Sequence, residues 1–500
     1  MNFESLSSTL SGFVVALGWA GGIVLIVLLV MFIQDIVQRK HTVRRNFPII
    51  GRLRYFLERQ GEFFRQYFFA GDRQEMPFNR ATRTWIYRNA KGLGGNIGFG
   101  STNDLREPGS ILFVNAAFPV QDEERMPTPP LLLGDGYCTQ PFLARSLINC
   151  SAMSFGAVSV PAARALSTGT AKAGCWINTG EGGLSEHHLA GGGDVIFQVG
   201  TAKYGIRDPE GRFAPERARA IGRQVQAFEI KLSQGAKPGK GGILPGDKVT
   251  EEIARIRGIP AGRDSISPNR HPDIGNINEL LDFVVRLREL SGRPVGVKTA
   301  VGGEQFVDDL IEAVLRRGVQ DAPDFLTLDG GEGGSGAAPQ ALADHMSLPI
   351  MEALPTVASR LIAAGLKPRI KLVASGKLAT SARAAWALCL GADFVNSARG
   401  FMFALGCIQS LKCHTNLCPT GITTHNKRLQ RGLVVGEKSQ RVANYVHAMN
   451  HEIDMIAHSC GVQHARELRR RHARIVQTAG KSLPLDVLFP YPNDAPSKQP

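Results

Sequence analysis

The sequence predicts an α/β fold, a (β/α)8 TIM barrel with an N-terminal transmembrane helix and helices after the barrel. Eight short apolar runs rich in β-branched residues end in small or polar residues, with room for a helix between them, an alternation typical of parallel barrels. The eight runs are Ser146–Ala152, Cys175–Asn178, Val195–Val199, Phe228–Leu232, Pro294–Lys298, Phe325–Asp329, Arg369–Ala374 and Asp393–Ser397. Helix-period patterns between them include Val160–Gly174, Asn278–Ser291, Gln305–Arg317 and Ser381–Gly391.

Most of the unusual residues follow the carboxyl ends of these runs, where a barrel carries its chemistry. Gly376 follows the seventh run and Gly400 follows the eighth, and glycine lets backbone N–H groups approach a phosphate at a helix N-terminus. We therefore predict a phosphate site there, with Arg399 adding positive charge. Lys298 ends the fifth run and should face a ligand, because a buried ammonium needs a compensating anion or electron-rich ring. The alternative is an ion pair with a carboxylate on a neighbouring strand.

Three cysteines follow the eighth run at iron–sulfur spacing. Cys407, Cys413 and Cys418 form a C-x5-C-x4-C pattern, and Pro419 follows the last of them. Three thiolates can hold a cluster, and proline after the final ligand is typical of ferredoxin-type loops. A zinc site stays open as an alternative because His414 and His425 lie close by in the sequence.

The N-terminal region predicts a membrane anchor. Gly12–Ile33 has 22 residues and no charge, and at about 1.5 Å per residue it is long enough for a bilayer core. A cleaved signal peptide is disfavoured because the only charge before this segment is Glu4. The basic residues that follow, from Arg39 to Arg45, place the larger part of the chain in the cytoplasm by the positive-inside rule.

Four segments are expected along the chain: the anchor (1–40), a basic and aromatic juxtamembrane segment (41–105), the barrel with its cysteine loop (106–430), and a C-terminal helical segment and tail (431–500). Residues 105–145 should be an irregular lead-in, and Gln440–Ile475 should be helical. The net charge of +14 comes from 58 basic and 44 acidic residues spread along the chain. Without a reader motif or an aromatic-interleaved basic patch, we predict no nucleic-acid partner.

Several strings resemble the synthase part of glutamate synthase, and specifically the stand-alone FMN-binding glutamate synthase family. They are SAMSFG (Ser151–Gly156), NTGEGG (Asn178–Gly183), SQGAKPG (Ser233–Gly239), LPGDKVT (Leu244–Thr250), GGSGAAP (Gly333–Pro339) and CHTNLCPTG (Cys413–Gly421). The resemblance implies a barrel that binds FMN and a [3Fe-4S] cluster on the three cysteines. It also implies hydride transfer from the reduced flavin to 2-iminoglutarate, formed from 2-oxoglutarate and ammonia.

The resemblance also implies roles for single residues. Flavin contacts would come from Ser151, Ala152, Met153, Gln198 and Lys298, and phosphate contacts from Gly376, Ala398, Arg399 and Gly400. Contacts to 2-oxoglutarate would come from Ser154, Glu181, Lys237 and Arg257, with Glu181 and Lys237 in catalysis. A dicarboxylate needs cations, and Lys237 and Arg257 are the ones nearest to the motif loops.

Two departures bear on function. Ile243 stands where the family pattern has a glutamine before its LPG. We also expect no amidotransferase domain with an N-terminal nucleophilic cysteine ahead of the barrel. We expect a glutamate synthase-like oxidoreductase acting on CH–NH2 donors, with ammonia supplied free or by a separate amidotransferase and electrons from a ferredoxin or reductase subunit. The alternatives are an N-methylglutamate-synthase-like or other amine and 2-oxo-acid flavoenzyme, and an electron-transfer subunit of a membrane complex.

Overall fold

The computed structural model of the chain describes residues 3–478 and 480–492. It divides into two compact units, Met1–Ala81 and Thr82–Pro500. In the first unit, a helix over Phe3–Val37 is followed by helices at Thr42–Asn46 and Ile50–Phe64 and a π-helical turn at Arg65–Phe69.

One helix of the described chain is long and apolar enough to cross a membrane. This stretch, Ser11–Val37, has 27 residues and none of its most apolar window is buried within the protein. The predicted span, Gly12–Ile33, lies inside it. Signal sequences share this length and composition, so the helix alone fixes no location.

The second unit contains a closed barrel of eight parallel strands, as predicted. We number the strands β1 to β8; each pairs with the next, and β8 closes on β1. Their bounds are Ile148–Cys150 (β1), Ile177–Asn178 (β2), Val195–Val199 (β3), Ala227–Lys231 (β4), Val295–Thr299 (β5), Phe325–Asp329 (β6), Lys371–Ser375 (β7) and Phe394–Ser397 (β8). Strands β3 to β6 are buried along their whole length, because helices cover the outer face of such a sheet.

The predicted strands fall on the observed ones, with ends that shift by up to two residues. β4, β5 and β7 each end one residue away from the predicted position, at Lys231, Thr299 and Ser375. Strand ends depend on pairing with neighbours, which apolar periodicity does not specify.

Helices surround the barrel in the order that the βα alternation predicts. They span Val160–Ala173, Glu186–Leu189, Pro215–Gly222, Glu251–Arg257, Ile277–Ser291, Gln305–Arg317, Gln340–His345, Ile350–Ala363, Ser381–Cys389, Arg399–Leu405, Lys427–Gln430, Val435–Ser459 and Leu485–Leu488, with Arg80–Ala90 ahead of the barrel. The helix Val435–Ser459 packs closely on the helix Val160–Ala173. Gly169 permits this approach, since a Cβ at this position would lie only 2.5 Å from Val442 Cβ.

Two predictions outside the barrel are wrong in part. The lead-in contains a hairpin, Leu131–Leu133 with Phe142–Ala144, whose Leu133 and Phe142 join the apolar cluster that includes Trp176. The helix predicted to reach Ile475 ends at Ser459. Beyond it, the strand Ala473–Thr478 pairs with the nearby Lys481–Pro484. It also pairs with Ile111–Phe113, which lies more than 350 residues earlier in the sequence.

Candidate active site

A cleft of about 1100 Å³, a volume that includes open solvent, lies over the carboxyl ends of the barrel strands. Loops after several strands contribute its lining. Ten of the predicted site residues line it: Ala152, Met153, Ser154, Glu181, Gln198, Lys237, Arg257, Ala398, Arg399 and Cys413. The other predicted residues, Ser151, Lys298, Gly376, Gly400, Cys407 and Cys418, are not part of the lining.

Glu181 lies between two lysines at the centre of this lining. Its Oε2 is 3.2 Å from Lys231 Nζ, and its Oε1 is 3.6 Å from Lys237 Nζ. Burial by itself raises the pKa of Glu181, but the two ammonium groups outweigh it and lower the pKa to about 2. Glu181 is therefore a carboxylate throughout the physiological pH range.

Lys237 is buried, and burial lowers its pKa, although the Glu181 carboxylate partly opposes this. The neighbouring chain comes close to both groups. A Cβ on Gly242 would lie 2.6 Å from Glu181 Oε1 and 3.4 Å from Lys237 Nζ. Any larger residue at position 242 would displace the carboxylate from the lysines.

Arg257 ends the helix Glu251–Arg257, and only 5% of its surface is exposed. Its Nη1 donates to Ser265 Oγ at 3.0 Å and its Nη2 to the Phe155 carbonyl at 3.3 Å. Within the described chain, Nε has no hydrogen-bond partner and no carboxylate forms an ion pair with this guanidinium. The guanidinium lies over the Tyr204 ring, 5.2 Å from its centroid. Burial lowers its pKa, and the nearby Glu181 carboxylate acts to raise it without a direct ion pair. A buried cation that lines a cleft and has no directly paired carboxylate can bind an anion there.

Lys231 was missed by the sequence analysis, although it ends β4 just as Lys298 nearly ends β5. The two lysines are register partners on adjacent strands, and Lys231 Nζ also donates to Gln234 Oε1 at 2.7 Å. Lys298 Nζ is 3.9 Å from Asp329 Oδ2. The inward alternation of β4, which also orients Glu229 inward, was the signal that could have identified Lys231.

Glu229 forms a second carboxylate centre, which the sequence analysis also missed. It is 1% exposed and accepts hydrogen bonds from Asn178 Nδ2 (2.8 Å), Gln198 Nε2 (2.6 Å) and Thr327 Oγ1 (2.7 Å). These bonds hold the amide of Gln198, which lines the cleft, in one orientation. Glu229 therefore positions a cleft residue from within the barrel.

The glycines of the predicted phosphate loops are tightly packed. Gly376 has φ of +133°, and a Cβ there would lie 3.2 Å from the Gly330 nitrogen. A Cβ on Gly400 would lie 2.1 Å from the hydroxyl of Tyr445. Ser375 and Asn396 are register partners on β7 and β8, so the two loops are neighbours. Ala398 and Arg399 extend from them into the cleft lining.

The cysteine loop adjoins the same cleft, because Cys413 lines it. Arg399 Nη1 is 3.9 Å from Cys413 Sγ, and Lys248 Nζ donates to the Cys413 carbonyl at 2.8 Å. Burial raises the pKa of Cys407. Burial also acts to raise the pKa of Cys418, but hydrogen bonds with Thr420 and Thr423 outweigh it, and the net shift lowers the pKa. The loop therefore provides thiols in a partly cationic environment.

The spacing of these thiols bears on which metal they could hold. A single zinc ion with Zn–S bonds of about 2.3 Å brings thiolates to within about 3.8 Å of each other. Within the described residues, the one set of three metal-type ligands that lie within 4.8 Å of one another is Glu186, His187 and Glu252, which does not include the cysteines. The Sγ atoms of Cys407, Cys413 and Cys418 are therefore not all within 4.8 Å of one another, which is farther apart than a single zinc ion requires. His425 Nε2 is also engaged, since it lies 2.9 Å from the Gly156 carbonyl.

The set around His187 is held by contacts among neighbouring side chains, which include an ion pair between Arg164 and Glu186. Arg164 Nε donates to His187 Nδ1 at 3.2 Å, so the neutral ring carries its proton on Nε2, which lies 2.9 Å from Glu252 Oε1. With one ring nitrogen accepting from an arginine and the other protonated, the imidazole offers no lone pair to a cation. These residues connect helices beside the cleft.

Comparisons with known proteins agree with the motifs. The family model described as the conserved region in glutamate synthase matches residues 125–463. A glutamate synthase large subunit-like protein of Bacillus subtilis, YerD, is 39% identical over 499 residues, covering 92% of this chain and 94% of the relative. An archaeal glutamate synthase [NADPH] of Methanocaldococcus jannaschii is 36% identical over 338 residues, covering 67% of this chain and 63% of the relative.

Among solved structures, a flavocytochrome b2 variant with benzoylformate aligns with 85% of this chain and 87% of its own, at 14% identity and a TM-score of 0.48. The family assignment depends on the sequence matches instead, because the model covers more than half of the chain and YerD is similar along nearly all of it. The protein is therefore an oxidoreductase that belongs to the FMN-binding glutamate synthase family.

Proposed function

We propose that this protein reductively aminates 2-oxoglutarate to L-glutamate, using FMN and an iron–sulfur cluster. The observation that carries the proposal is the cleft in which Lys231, Lys237 and Arg257 surround the single carboxylate of Glu181. Three cations against one carboxylate leave positive charge for an anionic substrate.

Arg257 and Lys237 would bind the two carboxylates of the oxo acid. The Arg257 guanidinium is buried without a carboxylate partner, so a substrate carboxylate would compensate its desolvation. Ser154 lines the same cleft and offers a hydroxyl to the acid.

Glu181 would contact the nitrogen end of the substrate. With a pKa of about 2 it stays negative, so it repels a carboxylate and attracts ammonium or a protonated imine. Lys237 would donate the proton that the new amine requires, because its lowered pKa makes its ammonium a better acid than an exposed lysine. This assigns the acid role to Lys237 and a charge-stabilising role to Glu181.

We propose that FMN binds over this cleft: five of the residues expected to contact it, Ala152, Met153, Gln198, Ala398 and Arg399, are in the lining, and Ser151, Lys298, Gly376 and Gly400 are outside it. Gly376 and Ala398–Gly400 would hold the phosphate, while Ser151–Met153, Gln198 and Lys298 would contact the ring system. The polar network at Glu229 supports this assignment, since it fixes the Gln198 amide at the cleft. When bound, FMN supplies the hydride that reduces the imine carbon. Lys298, buried near Asp329, would stabilise negative charge on the reduced ring.

Cys407, Cys413 and Cys418 would hold a [3Fe-4S] cluster that receives electrons from a ferredoxin or a reductase subunit. The three thiols are close enough that, besides burial, Cys413 and Cys418 both act to raise the pKa of Cys407, and Cys413 lines the cleft, which supports this. We expect Cys413→Ser to lose iron and acid-labile sulfide while it retains FMN, because the phosphate loops do not include Cys413. Cys389→Ser, which changes a buried cysteine elsewhere, should retain both. Wild-type iron content in Cys413→Ser would contradict the ligand assignment.

Ser11–Val37 would anchor the enzyme as a single-pass membrane protein with the barrel in the cytoplasm. Arg39, Lys40, Arg44 and Arg45 follow this helix directly, as the positive-inside rule requires for a cytoplasmic C-terminal part. Extraction with detergent but not with salt or alkali would support the anchor.

A second function, amination by an amine other than ammonia, is favoured by one residue. Ile243 lines the cleft and is 47% exposed, so an apolar group rather than an amide meets the substrate there. An N-methylglutamate-synthase-like enzyme could use that surface for an alkylamine. A pure electron-transfer subunit would have no use for a buried arginine in the lining of a cleft.

The test is reoxidation of the reduced flavin under anaerobic conditions with a panel of 2-oxo acids. Each acid is added alone, with ammonium, and with methylamine. Rapid reoxidation by 2-oxoglutarate with ammonium, and L-glutamate as product, supports the proposal. Reoxidation with methylamine alone would favour the second function, and no reoxidation by any pair would favour the electron-transfer subunit.

A further inference from the structure

The loop between the first two long helices is organised around one buried carboxylate. Asp35, near the end of the apolar helix, is fully buried. Its Oδ1 is 2.6 Å from Arg44 Nη2 and its Oδ2 is 2.7 Å from Arg52 Nε, while the Ile49 nitrogen donates to it at 3.0 Å. Ion pairs with two arginines and a backbone N–H fix where the next helix begins.

The contacts of Arg52 set the depth at which that next helix starts. Arg52 Nη2 donates to the Met31 carbonyl and to Gln34 Oε1, both at 3.2 Å. These acceptors belong to the last turns of the apolar stretch Ser11–Val37. The start of the helix Ile50–Phe64 also packs closely against the helix Thr42–Asn46. Only glycine fits at position 51, since a Cβ there would lie 2.8 Å from the Val43 carbonyl oxygen. If the first helix crosses a bilayer, the helix Ile50–Phe64 starts at the level of the bilayer surface.

The helix Ile50–Phe64 is amphipathic and leaves its apolar face uncovered. At 100° per residue, five apolar side chains occupy an arc of about 120°; they are Leu53, Phe56, Leu57, Phe63 and Phe64, each between 47% and 56% exposed. Ile50, 76% exposed, widens the arc to about 140°, and the half-buried Gln60 is the polar residue within it. Arg54, Glu58, Arg59 and Glu62 fall on the other side of the helix. An exposed aromatic and aliphatic face of this size requires a partner.

Charge distinguishes between the two partners that could cover this face. From Arg39 to Phe69 the chain carries eight basic and two acidic side chains. A second copy of the same segment would bring two strongly basic surfaces together, which is unfavourable. An anionic bilayer surface attracts the basic residues and accepts the aromatic face.

We propose that the helix Ile50–Phe64 lies in the plane of an anionic membrane surface, with the face of Leu53, Phe56, Leu57, Phe63 and Phe64 inserted among the lipids. The inference rests on the proposed membrane anchor. It adds a second membrane contact, whose orientation the Asp35 ion pairs fix. Arg54 and Arg59, on the side of the helix away from the apolar face, then lie near the lipid headgroups.

The test uses tryptophan reporters in the full-length chain, reconstituted into vesicles of phosphatidylcholine and phosphatidylserine. Trp19 is first replaced by phenylalanine, so that the apolar helix contributes no signal, and the emission of Trp85, Trp176 and Trp386 is subtracted with the Trp19→Phe protein as the blank. Phe64→Trp places the reporter on the apolar face, and Glu62→Trp, two residues away on the opposite face, is the matched control. Brominated phosphatidylcholine then quenches any tryptophan that is in contact with acyl chains.

The expected result is a loss of Phe64→Trp emission with brominated lipid and no loss for Glu62→Trp. Equal quenching of the two reporters would overturn the inference. So would a blue-shifted but unquenched Phe64→Trp, which would place a protein surface, such as a second copy of the chain, on this face. Quenching that does not weaken when phosphatidylserine is omitted would overturn the role of anionic lipid.

Native Trp19 keeps this test separate from the anchor. The chain that retains Trp19 is compared with Trp19→Phe in the same brominated vesicles. Quenching of Trp19 without quenching of Phe64→Trp would leave the anchor standing and overturn the in-plane helix. Absence of quenching for both would overturn both, while the flavin reoxidation assay still tests the chemistry independently.

Discussion

Two carboxylates of the same barrel, Glu229 and Glu181, have opposite surroundings. Glu229 is fully enclosed and accepts hydrogen bonds from three neutral groups. Glu181 faces the cleft and is paired with two lysines, and Arg257, which forms no direct ion pair with a carboxylate of the described residues, lies in the same lining. A carboxylate surrounded by neutral donors supports a structure, whereas cations in excess over a carboxylate, next to solvent, leave charge for a ligand. We call the surroundings of Glu229 the enclosed centre, which positions other residues, and the surroundings of Glu181 the open centre, where we place the chemistry.

The largest effect should come from removing the proposed proton donor of the open centre. We expect Lys237→Met to lower kcat by roughly 10² to 10⁴, the usual contribution of a general acid, with the flavin spectrum unchanged. Steady-state kinetics with 2-oxoglutarate and ammonium measure it. Lys240→Met, on the exposed end of the same loop, is the control and should retain activity. If both variants turn over like wild type, Lys237 has no catalytic role.

The enclosed centre should respond in stability rather than in chemistry. In Glu229→Leu, Asn178, Gln198 and Thr327 would all lose the side chain that accepts their hydrogen bonds. We expect a loss of about 3 kcal/mol in the free energy of unfolding, because three buried donors are left without an acceptor. Thr327→Val removes a single bond and should cost about 1 kcal/mol. Denaturant unfolding of the two variants under identical conditions checks this, and a smaller loss for Glu229→Leu than for Thr327→Val would refute the distinction.

A smaller and purely electrostatic effect should appear in the pH profile. Burial lowers the pKa of Lys237, and the Glu181 carboxylate opposes that shift. Glu181→Gln removes the opposition, so the pKa of Lys237 should fall further. The ammonium is then lost at lower pH, and the alkaline limb of kcat/KM should move to lower pH. Glu186→Gln, an exposed carboxylate outside the cleft, should leave the limb in place. A limb that moves to higher pH would show that Glu181 does not act on Lys237.

The sequence predicts the barrel well because burial on both faces gives each strand a continuous apolar run. The family resemblance also implies that Glu181, Lys237 and Arg257 come together, and the segments after β2 and β4 that carry them open at the same end of the barrel. It does not identify Glu229 or Lys231, because inward alternation says which face a side chain lies on but not which group it contacts across the barrel. The pairing of Ile111–Phe113 with Ala473–Thr478 is equally hidden, since residues so far apart in sequence leave no local pattern.

The central claim, that the open centre is a binding site for a dicarboxylic oxo acid, is tested most directly by equilibrium binding. Calorimetric titration of the oxidised full-length protein with 2-oxoglutarate compares wild type, Arg257→Met and Arg255→Met, an exposed arginine on the same helix. A charge-assisted contact is worth roughly 1.5–3 kcal/mol. Arg257→Met should therefore weaken binding by about one to two decades, with Arg255→Met close to wild type. Equal affinities in all three proteins would contradict the claim.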